Sequence, residues 1–313
     1  MALVLFAGTA NPALASAVAA TLGQPLGQAS LGRFPDLELY VELGETVRGR
    51  DVYLLQPTSP PAEAHLFELM LLTDACRRAG ADRITAVVPY FGYARQDRRA
   101  QGRQSVAARL VADLLATSGV ARVVAIDLHS RAMEGVFGVP LEHISAVPAL
   151  ADAVRASLPE RAVVVASDLG ATKLAERWAR LLDLPTALVH KKRVSGAEVR
   201  VRAVTGDVAG LAPILVDDMI STGGTLEAAV QTLLAQGARP EITIAATHAL
   251  FVGDAVERLA ALPLRHFFVT DTVTLPEAAS RLPLETVSVA PLLAEVIRRL
   301  HEGESLNDLL TFS

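Results

Sequence analysis

The chain has 313 residues, 51% of them apolar, and a formal net charge of -5 from 34 acidic and 29 basic side chains. That length and apolar share are enough to bury a large core, which excludes disorder and favours two domains of ordinary size. The mixed, slightly acidic charge excludes general attraction to nucleic acid or anionic membrane, and the single cysteine, Cys76, excludes a disulfide framework or thiolate metal cage and fits a reducing cytoplasm.

From the N-terminus, residues 1–20 are apolar and rich in small side chains, yet no Lys or Arg precedes Arg33, and Gly8, Asn11 and Pro12 interrupt the run. A secretory signal needs a basic start, so a buried strand followed by a helix capped near Asn11 is expected instead. No uninterrupted apolar stretch reaches the roughly 18–20 residues that span a bilayer, and no membrane partner is expected. Phe34, Asp36 and Glu38 fall on an expected hairpin edge, where alternation points one ring and two acceptors the same way.

Strand-like runs at 52–55, 84–88, 123–126, 163–165, 186–189, 214–216, 242–245 and 267–269 alternate with helical patterns. That alternation predicts parallel sheets with crossover helices, an α/β fold. The clearest helix carries Leu226, Ala229, Val230, Leu233 and Leu234 on one face, with Gly237 as its expected stop. Segments 52–91 and 214–250 both read strand, loop, helix, short polar turn, strand. This weak internal repeat predicts two related halves, 1–146 and 147–313, with the last helix packing back on the first.

The loops after the equivalent strands differ. The first is Gln56-Pro57-Thr58-Ser59-Pro60; the second is Asp217-Asp218-Met219-Ile220-Ser221-Thr222-Gly223-Gly224-Thr225. In the second, the amides of a helix start, the hydroxyls of Ser221, Thr222 and Thr225, and the small Gly223 and Gly224 suit a phosphate. Asp217 and Asp218 would repel that phosphate but accept from the hydroxyls of a ribose. The plain alternative is a glycine-rich turn with solvated acids. The stretch resembles the phosphoribosyl-diphosphate loop shared by type I phosphoribosyltransferases and phosphoribosyl diphosphate synthetases.

Further motifs favour the second of those families. Phe34-Pro35-Asp36-Leu37-Glu38, Pro57-Thr58-Ser59-Pro60-Pro61, Pro89-Tyr90-Phe91-Gly92-Tyr93-Ala94-Arg95-Gln96-Asp97 and Asp127-Leu128-His129 look like successive signatures of ribose-phosphate diphosphokinase. The resemblance runs from Gly8 to Leu293. It implies two phosphoribosyltransferase-like (Rossmann-like) domains, each a mostly parallel sheet flanked by helices. It also implies transfer of the β,γ-diphosphate of ATP to ribose 5-phosphate with Mg²⁺. By resemblance, Phe34, Asp36, Leu37, Glu38, Arg95, Gln96 and Asp97 contact ATP, with Arg98, Arg99 and Arg103 as further candidates. His129 and Asp168 belong to a Mg²⁺ site, and Lys191 and Arg193 act on a mobile loop as the catalytic cations. The family forms homo-oligomers, from dimer to hexamer, in which the hairpin reaches a neighbour's ATP site.

Some positions depart from the commonest bacterial pattern: Ser221 stands where Asp is frequent, and Pro35 and Leu37 replace Ser and Gly. Residues 166–171 lack the usual Ser-Pro-Asp and Gly-Gly. These departures put phosphate activation, ADP inhibition and oligomer size in doubt. Two other readings are a type I phosphoribosyltransferase and a non-catalytic regulatory paralogue.

Overall fold

The computed structural model describes residues 2–99, 101–195 and 198–310, and within 191–202 the backbone alone. In chain order the elements are β1 (Leu3–Ala7), α1 (Pro12–Leu22), β2 (Ala29–Arg33), β3 (Leu39–Leu43), β4 (Asp51–Leu55), α2 (Ala62–Arg78), β5 (Arg83–Val88), α3 (Ala107–Ser118), β6 (Arg122–Ile126) and β7 (Leu141–Ile144). They continue with α4 (Val147–Arg155), β8 (Ala162–Ala166), α5 (Thr172–Leu182), β9 (Thr186–Ser195), β10 (Glu198–Thr205), β11 (Ala212–Ile220), α6 (Gly224–Ala235), β12 (Ile242–Ala249), α7 (Ala255–Ala260), β13 (Leu264–Thr270), β14 (Leu284–Val287) and α8 (Ala290–Glu302). Two compact units divide them: the first holds residues up to Ser145, Thr272–Thr274 and those from Ser288 on, the second Ala146–Asp271 and Leu275–Val287.

The first unit is built on a five-stranded sheet of order β1-β4-β5-β6-β7 whose neighbours are all parallel. Parallel strands are covered on both faces, which is why β4 is apolar and buried along its length apart from Asp51, a buried acid. Helix α1 starts where Asn11 predicts: its side chain accepts from the Leu14 amide at 3.1 Å, and Pro12 occupies the first turn. Helix α8 packs against α1 within this unit. Strands β2 and β3 form a separate antiparallel hairpin, with Leu31, Val41 and Leu43 against the core. Cys76 lies buried on α2, and burial pushes its thiol up to about 12.

The second unit holds a seven-stranded sheet of order β10-β9-β8-β11-β12-β13-β14, antiparallel only between β9 and β10. On α6, Leu226, Ala229, Val230 and Leu233 are buried, and Leu234 packs beside them. Gly237, at φ 81°, ends the helix; the amides of Gly237 and Ala238 return to the carbonyls of Leu234 and Leu233.

Two strands outrun their sequence signal. Strand β11 continues through Asp217 and Asp218 to Ile220, because its neighbour β12 extends to Ala249 and keeps the ladder going, with Asp217 opposite Ala246 and Met219 opposite His248. Strand β9 continues from the expected stop at 189 to Ser195. Its partner β10 pairs Arg202 with Lys191 and Val199 with Arg193. An antiparallel edge hairpin tolerates charged residues that a central strand would not.

Candidate active site

In the second unit the chain leaves β8 toward β9 and returns on the other side of β8 as β11, so the strand order reverses between β8 and β11. Open α/β sheets bind ligands in the crevice at such a reversal, beyond the carboxyl ends of the strands. Asp217 and Ser167 face each other there: the Ser167 hydroxyl donates to Asp217 Oδ2 at 2.9 Å, and Asp217 Oδ1 accepts from the Asp218 amide at 2.9 Å. Burial, followed by the negative charge of Asp218, pushes the Asp217 carboxyl well above the usual carboxylate range, while the Ser167 hydroxyl opposes the shift. A carboxyl held this way accepts readily from a sugar hydroxyl.

Beyond the acids, Ser221, Thr222 and Gly223 turn the chain into α6. Gly223 is the N-cap at φ 73°, a conformation that favours glycine, and a Cβ there would lie 3.1 Å from Leu259. As a glycine it supplies no capping oxygen, so the helix presents its first amides and its positive dipole end to an incoming anion. The loop is fixed from behind by the Val252 amide, which donates to the Ser221 carbonyl at 2.9 Å. Ser221, Gly224 and Thr225 are half-buried and Thr222 is exposed. Thus Asp217, Asp218 and Ser221 to Thr225 stand on one continuous strand, turn and helix.

Asp168 follows β8, where its Oδ1 accepts from the amides of Gly170 at 2.9 Å and Ala171 at 3.3 Å and so caps a short turn. Lys191 and Arg193 belong to β9, the strand next to β8; their side chains lie outside the described residues.

In the first unit Arg95, Gln96, Asp97 and His129 lie on the chain beyond the carboxyl ends of β5 and β6, adjacent strands of one sheet. The loops after β4 and β5 are stitched together: the Thr58 amide donates to the Tyr90 carbonyl at 2.8 Å and the Gly92 amide to Thr58 Oγ1 at 2.7 Å. A Cβ on Gly92 would meet the Thr58 carbonyl oxygen at 2.5 Å, so only glycine fits that approach. Beyond this seam Arg95 and Gln96 are exposed and Asp97 is half-buried, with Arg98 at 3.6 Å from Asp97. The Tyr93 hydroxyl ties the loop to Glu63 at 2.8 Å. His129 is exposed, next to the buried Asp127 and Leu128.

Residues 34–38 are the tip of the β2–β3 hairpin and not part of either strand, so the expected alternation of Phe34, Asp36 and Glu38 does not hold. The tip is a tight turn: the Phe34 amide donates to the Glu38 carbonyl at 2.9 Å, the Leu37 amide donates to the Phe34 carbonyl at 2.8 Å, and the Asp36 carboxylate accepts from the Glu38 amide at 3.2 Å. Leu37 adopts φ 73°, a left-handed backbone that favours glycine. Phe34 and Leu37 are 51% and 69% exposed, so the tip is an unburied apolar projection of this unit.

Ser167 is not among the residues that the sequence singles out. Its signal was present: a small hydroxyl one residue after a strand, beside an acid that follows a second strand in the same way. Only the strand order puts the two together.

Two units of mostly parallel α/β sheet, with an acid pair and a glycine-started helix at a strand-order reversal, define a class of α/β proteins whose crevice suits a phosphorylated ligand. Residues 3–119 match the N-terminal domain of ribose phosphate pyrophosphokinase, and residues 194–311 match the phosphoribosyl synthetase-associated domain. A ribose-phosphate pyrophosphokinase of Gloeobacter violaceus is 45% identical over 97% of this chain and 92% of its own. A chloroplastic ribose-phosphate pyrophosphokinase of Arabidopsis thaliana is also 45% identical, over 98% of this chain and 77% of its own. The crystal structure of phosphoribosylpyrophosphate synthetase from Mycobacterium smegmatis superposes with a TM-score of 0.92 at 40% identity, covering 97% of this chain and 100% of that one. The chain belongs to the ribose-phosphate pyrophosphokinase family and is an enzyme of phosphoribosyl pyrophosphate synthesis. Among the described residues, no helix is long and apolar enough to cross a membrane.

Proposed function

We propose that the enzyme transfers the β,γ-diphosphate of ATP to the 1-hydroxyl of ribose 5-phosphate and releases AMP. The observation that carries this reading is the Asp217 carboxyl, anchored by Ser167 and followed on the same strand and turn by the open start of α6. The 5-phosphate takes the amides at 223–225 and the hydroxyls of Ser221, Thr222 and Thr225, while Asp217 and Asp218 accept from the ribose diol. The 1-hydroxyl oxygen then attacks the β-phosphorus in line. Its bond to that phosphorus forms as the bridge to the α-phosphate breaks, the hydroxyl proton passes to solvent, and the bridging electrons leave with AMP. Lys191 and Arg193 on β9 neutralise charge on the transferring group, which is where phosphoryl transfer gains most from fixed cations. Arg95, Gln96 and Asp97, with Phe34, Asp36, Leu37 and Glu38 of a neighbouring copy's hairpin, hold ATP; the exposed tip supports such a homo-oligomer.

Mg²⁺ fits as the cofactor. It takes one or two carboxylates and completes its shell with water and phosphate oxygens, so it needs no cage of three side chains; among the described residues no such cage exists. In the second unit Asp168 would hold it directly; in the first, His129 would act on ATP, an imidazole being a poor direct partner for so hard an ion. Bound there, the ion would screen the phosphate charges and polarise the bond that breaks. Lys191→Ala is expected to lower kcat by about 10²- to 10³-fold with the fold and ATP binding retained. Turnover at the wild-type rate in a folded Lys191→Ala protein contradicts the assignment.

A further inference from the structure

We propose that His143 and Ser145, at the end of β7, are positioning residues that hold the turn presenting His129. The inference rests on the reading of His129 given above. Strand β6 ends at Ile126, and Asp127 then adopts φ 37°, a backbone sparsely populated by residues other than glycine. Such a conformation persists only where its surroundings over-determine it, and β7 supplies three ties. The Asp127 amide donates to the Ile144 carbonyl at 3.0 Å. The Ser145 hydroxyl donates to Asp127 Oδ1 at 2.6 Å, and the Leu128 amide donates to His143 Nε2 at 2.8 Å. All five residues are buried, whereas His129, the next along the chain after Leu128, is exposed. As the acceptor of an amide, His143 Nε2 carries no proton, so the ring acts as a fixed acceptor. Strand β7 is anchored in turn: the Ser145 amide donates to the Leu309 carbonyl at 3.2 Å, and Ile144 bridges to Leu310. The end of β7 thus sets the angle at which the chain leaves toward His129, through two buried side chains.

The test compares His143→Leu, which removes the acceptor at similar volume, with His143→Gln, which keeps one, each alone and combined with His129→Ala. His143→Leu is expected to lower kcat about ten- to a hundredfold, the scale of a misplaced reactive group, with the KM for ribose 5-phosphate within about twofold of wild type. His143→Gln should restore most of that loss. In the His129→Ala background the His143→Leu effect should shrink to less than about twofold, since the residue acts through His129. Full turnover in His143→Leu, or a loss that is undiminished without His129, overturns the inference while leaving the role of His129 standing. Full turnover in His129→Ala overturns both. If His143→Leu does not fold, Ser145→Ala releases the same turn and carries the same expectation, and full turnover in it overturns the inference.

Discussion

Ser167 and Asp217 are joined by a 2.9 Å hydrogen bond across β8 and β11, the two strands between which the order of the second sheet reverses. The bond fixes the rotamer of a buried acid on the strand that leads to the open start of α6. It also opposes the burial and like-charge repulsion that push the carboxyl toward its neutral form. Ser167→Ala should therefore raise the KM for ribose 5-phosphate by up to about tenfold, the upper value of one ordinary hydrogen bond. The KM for ATP should stay within about twofold. Steady-state kinetics in both substrates checks this, and equal effects on the two would point to general disruption.

Gly92→Ala should act on the other substrate. The new methyl would meet the Thr58 carbonyl at 2.5 Å, and a backbone atom does not yield as a side chain would. The seam between the loops after β4 and β5 must open, moving Arg95 and Gln96. The expected outcome is a loss of about 1–3 kcal/mol of stability, as for overpacking elsewhere, with a higher KM for ATP. Thermal denaturation and ATP titration read the two effects separately.

These two assignments differ in how far they could be read from residues alone. The strands at 52–55, 84–88 and 123–126 and the buried face of α6 announced themselves, because burial on both faces or on one stripe imposes a period on composition. Asp217 and the turn to Thr225 were legible for the same local reason: strand, acids, glycines and helix follow one another in sequence. What stayed hidden depends on neighbours distant in the chain. The extension of β11 past its acids is a property of its pairing with β12, and acids alone argue against a strand. The hairpin tip failed as an alternating edge because backbone returns close 34–38 into a turn. Ser167 and His143 left no periodic mark at all; each is defined by one hydrogen bond to a residue at least 15 positions away.

Leu37→Gly should stabilise the protein by up to about 1 kcal/mol. Leucine holds φ 73° at a cost of roughly 1–2 kcal/mol, and glycine relieves it at the expense of a more disordered unfolded chain. Little burial is lost, since Leu37 is largely exposed in this unit. Leu37→Val, β-branched at the same backbone, should lower stability. Chemical denaturation of the three proteins gives the order.

Asp51 makes acid stability specific. Burial alone would raise its carboxyl, but Arg83, at 2.6 Å, and His301, at 2.8 Å, outweigh that and hold it below its ordinary value. A carboxyl depressed in the folded state contributes stability above its unfolded pKa of about 4 and loses that contribution as pH falls through the folded value. Asp51→Asn should cost about 2–3 kcal/mol at pH 7, below the full penalty of a broken buried pair because Arg83 keeps 32% of its side chain exposed. The deficit should narrow as pH falls below about 4. Denaturation midpoints of both proteins across pH 3–7 test the sign, and a gap that widens in acid contradicts it.

The central claim is that the pentose hydroxyl attacks the β-phosphorus of ATP. Incubation of the purified protein with ATP, ribose 5-phosphate and Mg²⁺, followed by separation of the nucleotides, tests it most directly. AMP should appear in equal amount with phosphoribosyl pyrophosphate, and Asp217→Asn should suppress both. Formation of ADP in place of AMP, which marks attack at the γ-phosphorus, or no sugar-dependent loss of ATP at all, would contradict the account.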